Sequence, residues 1–173
     1  GAGADLGEFL AIAQGGQGRL ADLIDRGHAL FRSIKFSRLP IVAATRGWAL
    51  GGSCELALHC DFIQAGAELS MGLVETSIGL VPGWGGCKET LIRLGRLAGD
   101  APNGPVAAAE AAFTLLSKAR VSTSAYEAKS SGYLTAYDAI TMNPDRLLAD
   151  AKAAALRLAT NYSPPGPASL RLS

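Results

Sequence analysis

What this chain lacks narrows its identity first. Across 173 residues no uninterrupted apolar run approaches the roughly 18 needed to cross a bilayer, so no membrane partner is expected. The first residues carry no basic flank ahead of an apolar core, and no secretory signal is read there. The formal net charge is only +1, which gives no bulk attraction to nucleic acid or to an anionic surface. Three cysteines, Cys54, Cys60 and Cys87, cannot complete a disulfide framework, and none stands in CxxC spacing. They read as reduced thiols, and a cytoplasmic setting is expected. Histidine is scarce too: His28 stands alone, and His59 and Cys60 are sequence neighbours that point in different directions, so no metal site is expected.

What is present is a globular composition. With 49% hydrophobic and 18% charged residues the chain has enough apolar material for one core, and its length suits one domain. That domain is read as residues 1–163, with 164–173, opening on the prolines of SPPGP, as a tail or linker. The sequence begins on GAGADLGEF without an initiator methionine, as though in the middle of something.

The periodicities alternate between strand and helix. Residues 1–18 are rich in Gly and Ala, with GGQG marking a break. From Leu20, the apolar residues Leu23, Ile24, Leu30, Phe31 and Ile34 recur at helical spacing until Pro40 stops the pattern. IVAATRGWA reads as one short, fully buried strand, DFIQA as a second and ELSMGL as a weaker third. ETSIGLVPGWGG and LAGDAPNGP (97–105) read as loops, the helix CKETLIRLG lies between them, and an Ala-rich helix covers about 106–119. Ser122, Thr123 and Ser124 are placed to cap a short helix ending at Gly132. Asn143 and Pro144 look like the N-cap and first position of a last helix, through DRLLADAKAAALRLATNY. The fold class expected is α/β with helices gathering toward the C-terminus.

The stretch that could carry chemistry is GWALGGSCELALHCD, residues 47–61. A strand, two glycines and a helix aim unpaired backbone N–H groups at an anion, aided by the helix dipole. An oxyanion developing during a reaction is stabilised at such a point. Glu55 stands one turn into that helix, and Glu75 enters a Gly-Pro loop at a strand end. Two carboxyls converging on one oxyanion site make an acid–base pair for proton transfer near a carbonyl. Gly51 and Gly52 could instead serve only tight packing, with Glu55 on a solvated face. Other signals fall away. GWGGCKET lacks the GK[ST] of a phosphate loop, and GGSCE is not the G-x-S-x-G of a hydrolase elbow. Trp48 and Trp84 could line an apolar pocket or simply pack.

Taken together, GAGADL and PIVAATRGWALGGSCELALHCDFIQAGAELSMGLVETSIGLVPGWGGCKETLIRLG resemble the crotonase, or enoyl-CoA hydratase, superfamily over residues 1 to about 96. KARVSTSAYEAKSSGYL and AITMNPDRLLADAKAAALRLA resemble more narrowly the hydratase part of bacterial multifunctional 3-hydroxyacyl-CoA dehydrogenase/enoyl-CoA hydratase proteins. The resemblance implies a ββα spiral, with two roughly perpendicular sheets surrounded by helices, lacking here the family's N-terminal segment. It implies Glu55 and Glu75 as catalytic carboxylates, the N–H groups of Ala2 and Gly52 as the oxyanion hole, and Gly83 as a supporting backbone amide. The reaction implied is addition of water to trans-2-enoyl-CoA in fatty-acid β-oxidation, with no cofactor and coenzyme A only as part of the substrate. A trimer or hexamer and a fused 3-hydroxyacyl-CoA dehydrogenase domain are also implied. An isomerase using only the Glu75 position, or a non-catalytic assembly domain, are the alternatives. Ser53 and Val74 stand where the family usually has glycine and often proline.

Overall fold

The computed structural model of the chain describes residues 1–98 and 104–168. Helices α1 (Leu6–Gln14) and α2 (Gln17–Lys35) precede strands β1 (Val42–Thr45) and β2 (Trp48–Leu50). Helix α3 (Gly52–His59), strands β3 (Phe62–Gly66) and β4 (Ser70–Gly72), and a 3₁₀ turn over Glu75–Ile78 follow. Helices α4 (Gly86–Ala98), α5 (Gly104–Ser117) and α6 (Ala125–Ser130), strand β5 (Ala139–Thr141), a 3₁₀ turn (Pro144–Arg146) and helix α7 (Leu147–Ala159) complete the order.

The strands form two parallel sheets, β1-β3-β5 and β2-β4. Each β1β2 or β3β4 pair therefore crosses from one sheet to the other before a helix returns the chain, which is a ββα repeat. IVAATRGWA is accordingly not one strand. Gly47 takes φ +60° and ends the first strand at Thr45, so Trp48–Leu50 joins the other sheet. Nor is the stretch fully buried, since Trp48 is 65% exposed. Gly1 extends the second sheet: its N-terminal amine donates to the Trp48 carbonyl, and its own carbonyl accepts from Leu50 N–H at 3.0 Å. Those two bonds flank Ala49, which is the pattern of a parallel neighbour.

The core lies where α3, β3 and β4 meet the chain after α6. Leu58, Ile63, Leu69, Met71, Leu73, Tyr133 and Leu134 are each at most 1% exposed there. Strand β3 is buried along its whole length, as a central parallel strand requires. The charged pair inside this core, Arg93 and Asp138, is hydrogen-bonded. Arg93 of α4 donates to Asp138 Oδ2 (3.1 Å), to the Tyr133 carbonyl (3.2 Å) and to the Leu58 carbonyl (3.3 Å). Asp138 also accepts from the Ile63 and Thr135 amides.

The helix ends follow their caps. Ser124 caps α6 by accepting from Glu127 N–H, while Glu127 Oε2 accepts from Thr123 N–H and Oγ1–H. Ser124→Ala is expected to lower unfolding free energy by about 1 kcal/mol in a urea titration. Asn143 Oδ1 accepts from Asp145 N–H and so caps the turn that opens at Pro144, but that turn is 3₁₀ and α7 starts at Leu147. Two elements were not expected. Helix α1 buries no residue and rests on its Asp5 cap, and β5 is only three residues long. Both ends of the loop expected over 97–105 are helical, since α4 runs to Ala98 and α5 begins at Gly104. Its middle, 99–103, lies outside the described residues. Among the described residues no helix is long and apolar enough to cross a membrane.

Candidate active site

The site assembles where β2 turns into α3. Gly51 takes φ +54°, a conformation that suits a residue without a Cβ, and its N–H donates to the Gly72 carbonyl of β4. Gly52 is then the first residue of α3, so its N–H has no carbonyl four residues back within the helix. The N-terminal segment lies against it. A Cβ on Gly3 would sit 3.7 Å from Gly52 N and 3.2 Å from the Leu50 carbonyl oxygen. Ala2, between Gly1 bonded to β2 and Gly3 against Gly52, is thereby brought beside the helix N-terminus.

Glu55 is one turn further and 1% exposed. A buried carboxylate needs partners, and here one oxygen has two. Glu55 Oε1 accepts from Trp84 N–H at 2.9 Å and from Gly86 N–H at 2.8 Å. Gly86 is tightly enclosed: a Cβ there would lie 2.9 Å from both Leu73 methyls and 3.0 Å from Glu55 Cγ. Burial pushes the Glu55 carboxyl above the usual range, opposed by those two amides and more weakly by His28.

Glu75 opens the 3₁₀ turn after β4. Its Oε1 is 3.5 Å from the position a Cβ on Gly51 would take, so the carboxyl sits over the turn into α3. Its Oε2 is buried and has no hydrogen-bond partner. Burial, and then the negative charge of Glu55, push this carboxyl up against the pull of nearby backbone amides. The Cys54 and Cys87 thiols are likewise raised by burial first and by both carboxylates next. Two acids, a helix N-terminus and the GAGAD segment thus share one location.

Gly83, the amide that the resemblance implies, directly precedes one of the donors to Glu55. The amides bonded to Glu55 are those of Trp84 and Gly86, and the Gly83 carbonyl accepts from His28 Nε2–H at 2.8 Å. His28, read from sequence as solitary, therefore braces the loop. His59 was also set aside, yet it is 4% exposed and its Nδ1–H donates to the Glu55 carbonyl at 2.7 Å. Its Nε2 lies 3.8 Å from Glu89 Oε1, in a cluster closed by Lys35 and Lys88. Burial lowers the His59 ring's proton affinity below the ordinary range, outweighing the Glu55 carbonyl and the Glu89 charge that favour the protonated form. The helical spacing of four between Glu55 and His59 was the available signal. Among the described residues no three His, Cys, Asp or Glu side chains are grouped to hold a metal ion.

Fold and site define an α/β domain of ββα repeats with a helix N-terminus and two carboxyl groups at one point. The family model described as enoyl-CoA hydratase/isomerase matches residues 1–101, more than half of the chain. The chain belongs to that family. It is 42% identical over 144 residues to a Bacillus subtilis (strain 168) protein described as a probable 3-hydroxyacyl-CoA dehydrogenase, covering 83% of this chain and 18% of that one. It is 36% identical over 159 residues to a probable enoyl-CoA hydratase of Rhizobium meliloti (strain 1021), covering 92% and 53%. The crystal structure of an enoyl-CoA hydratase from Bacillus anthracis superposes with a TM-score of 0.70 at 30% identity, over 92% of this chain and 54% of that one. The chain thus spans about half the length of these hydratases and less of the dehydrogenase.

Proposed function

We propose that this chain carries the catalytic centre of an enoyl-CoA hydratase, which adds water across the 2,3-double bond of a trans-2-enoyl thioester. The observation that carries the reading is the contrast between the two acids. Glu55 has one oxygen fixed by two amides, which favours its ionised form and leaves the other oxygen for water. Burial raises the proton affinity of both carboxyls, but Glu75 has a buried oxygen without a partner and is raised further by the charge of Glu55, which suits a proton donor.

In the addition, Glu55 removes a proton from water as its oxygen bonds to C3 of the substrate. The C2–C3 π electrons move toward the carbonyl, and the negative charge on the thioester oxygen is met by the Gly52 and Ala2 N–H groups. Glu75 then delivers its proton to C2. Glu55 has gained one proton and Glu75 has lost one, so return of a proton between them through solvent resets the site. Every group in this scheme belongs to the chain or the substrate, with coenzyme A as the thioester's carrier. The product is a 3-hydroxyacyl thioester, the substrate that the description of the Bacillus subtilis relative implies. This supports a role in fatty-acid β-oxidation and a fused or partner dehydrogenase.

The test is loss of enoyl-thioester absorbance when crotonyl-CoA meets the full-length protein, with the product identified as 3-hydroxybutyryl-CoA. Turnover confined to moving a double bond from the 3- to the 2-position would replace the hydratase reading with an isomerase.

The two acids also set a pH dependence. A group whose proton affinity rises on folding favours the folded state at low pH, and this advantage is lost as pH climbs through its folded value. Glu75 is such a group, because burial and Glu55 both raise it. The Glu75→Gln protein is therefore expected to melt higher than the unmodified one at pH 7–8. The difference should vanish below the ordinary glutamate value of about 4.3. Thermal melts across pH 3.5–8 would check it; an equal or lower melting temperature at pH 8 would contradict the assignment.

A further inference from the structure

Trp84 is where the catalytic carboxylate, the oxyanion helix and α2 meet. Its backbone N–H holds Glu55 Oε1 at 2.9 Å. The six-membered edge of its indole lies against Gly52: a Cβ there would be 2.9 Å from Cζ3 and 3.2 Å from Cε3. The opposite edge lies against α2. A Cβ on Gly27 would be 2.0 Å from Nε1 and 2.4 Å from both Cδ1 and Cε2. Phe31, one turn along α2, meets the indole edge-on with ring centroids 5.6 Å apart. The indole N–H is buried there without a hydrogen-bond partner.

The ring is thus a spacer wedged between two glycines. Glycine in the interior of a helix is less favourable than alanine, so its presence midway along α2 calls for a packing reason. The 2.0 Å clearance supplies one. Gly18, near the start of the same helix, has nothing within 4 Å of its Cβ position and no such reason.

We propose that Trp84 is a positioning residue: seated on Gly27, its indole fixes the Gly52 N–H and, through its own backbone, the Glu55 carboxylate in one geometry. Gly27, which touches none of the reacting groups, is then required for turnover. Displacing the ring moves the oxyanion donor and the base together, and hydration needs both in place to within a fraction of an ångström. The inference rests on the hydratase reading.

The test compares the full-length protein with Gly27→Ala, Trp84→Leu and the double variant, measuring kcat and KM for crotonyl-CoA and the melting temperature. Either single change is expected to lower kcat about 10- to 100-fold, the scale of a misplacement near 1 Å, with KM moved by less than about threefold. The double variant should be no slower than Trp84→Leu alone, because without the indole the alanine meets nothing. Gly27→Ala turning over at the unmodified rate would overturn the proposal, as would losses that multiply in the double variant. If Gly27→Ala does not fold, Trp84→Leu decides: a lowered melting temperature at unchanged kcat makes the ring mere packing. No hydration by the unmodified protein would sink the hydratase reading and this inference with it, a result separable from an active protein indifferent to Gly27.

Discussion

Glu75→Gln is expected to lower kcat for hydration by about 10²- to 10⁴-fold, with the fold kept and KM little changed. The carboxyl proposed to protonate C2 is the one with a buried, unpartnered oxygen. An amide there fills the same space but cannot give up a proton. The loss should appear equally in kcat and kcat/KM, since the interaction is made only as the C2–H bond forms. Glu55→Gln is expected to be as damaging for a different reason. Its carbonyl oxygen can still accept from Trp84 and Gly86, so the loop stays in place. The oxygen left for water, however, is replaced by an N–H₂ that cannot take a proton. Steady-state rates with crotonyl-CoA, beside circular dichroism spectra of each variant, check both. Near-normal hydration by either would remove that residue from the mechanism.

The largest expected effect on stability is elsewhere. Arg93→Ala should lower unfolding free energy by about 3–5 kcal/mol, the cost of leaving a buried charge without its partner. The guanidinium is buried and joins three segments: the end of α3 through the Leu58 carbonyl, the turn at Tyr133, and Asp138. Asp138 in turn receives the Ile63 amide of β3, so the removal also loosens the central strand. The exposed pair Arg146–Asp150, at 3.5 Å with Arg146 68% exposed, is the control. Arg146→Ala should cost no more than about 0.5 kcal/mol, because water and salt screen such pairs. Urea unfolding of the two variants distinguishes the cases, and equal losses would refute the account of Arg93.

Much of the site could be read in one dimension because its parts are local. Gly51, Gly52 and Glu55 fall within five residues at a strand-to-helix turn, and a helix N-terminus presents its amides whatever surrounds it. The caps at Ser124 and Asn143 were legible for the same reason, each side chain reaching an amide two or three residues on. Misreadings arose where a distant partner decides. IVAATRGWA has the composition of one buried strand, and only the pairing of Val42–Thr45 with β3 and of Trp48–Leu50 with β4 divides it at Gly47. Strand β5 is three residues that count as strand only because Gln64, Ala65 and Gly66 lie beside them. Helix α1 is the exception: Leu6, Phe9, Leu10 and Ala13 recur at helical spacing, but the glycines on either side of them read as a break.

The residues that hold Glu55 show the boundary best. GWGG identifies a loop, but whether Gly83, Trp84 or Gly86 turns an amide inward depends on where α2 and α3 leave room, and that is set by packing across the fold. By itself the sequence determined the α/β class and the family, and it singled out the turn at Gly51 and Gly52 and the carboxyls of Glu55 and Glu75 as candidates, because these rest on short-range patterns and residue types. Only the tertiary structure decided that Glu75 lies over Gly51, that Glu55 is cradled through one oxygen, and that an indole separates Gly27 from Gly52. Those are contacts between segments far apart in the chain, and their geometry is chosen by burial and close packing rather than by any local preference.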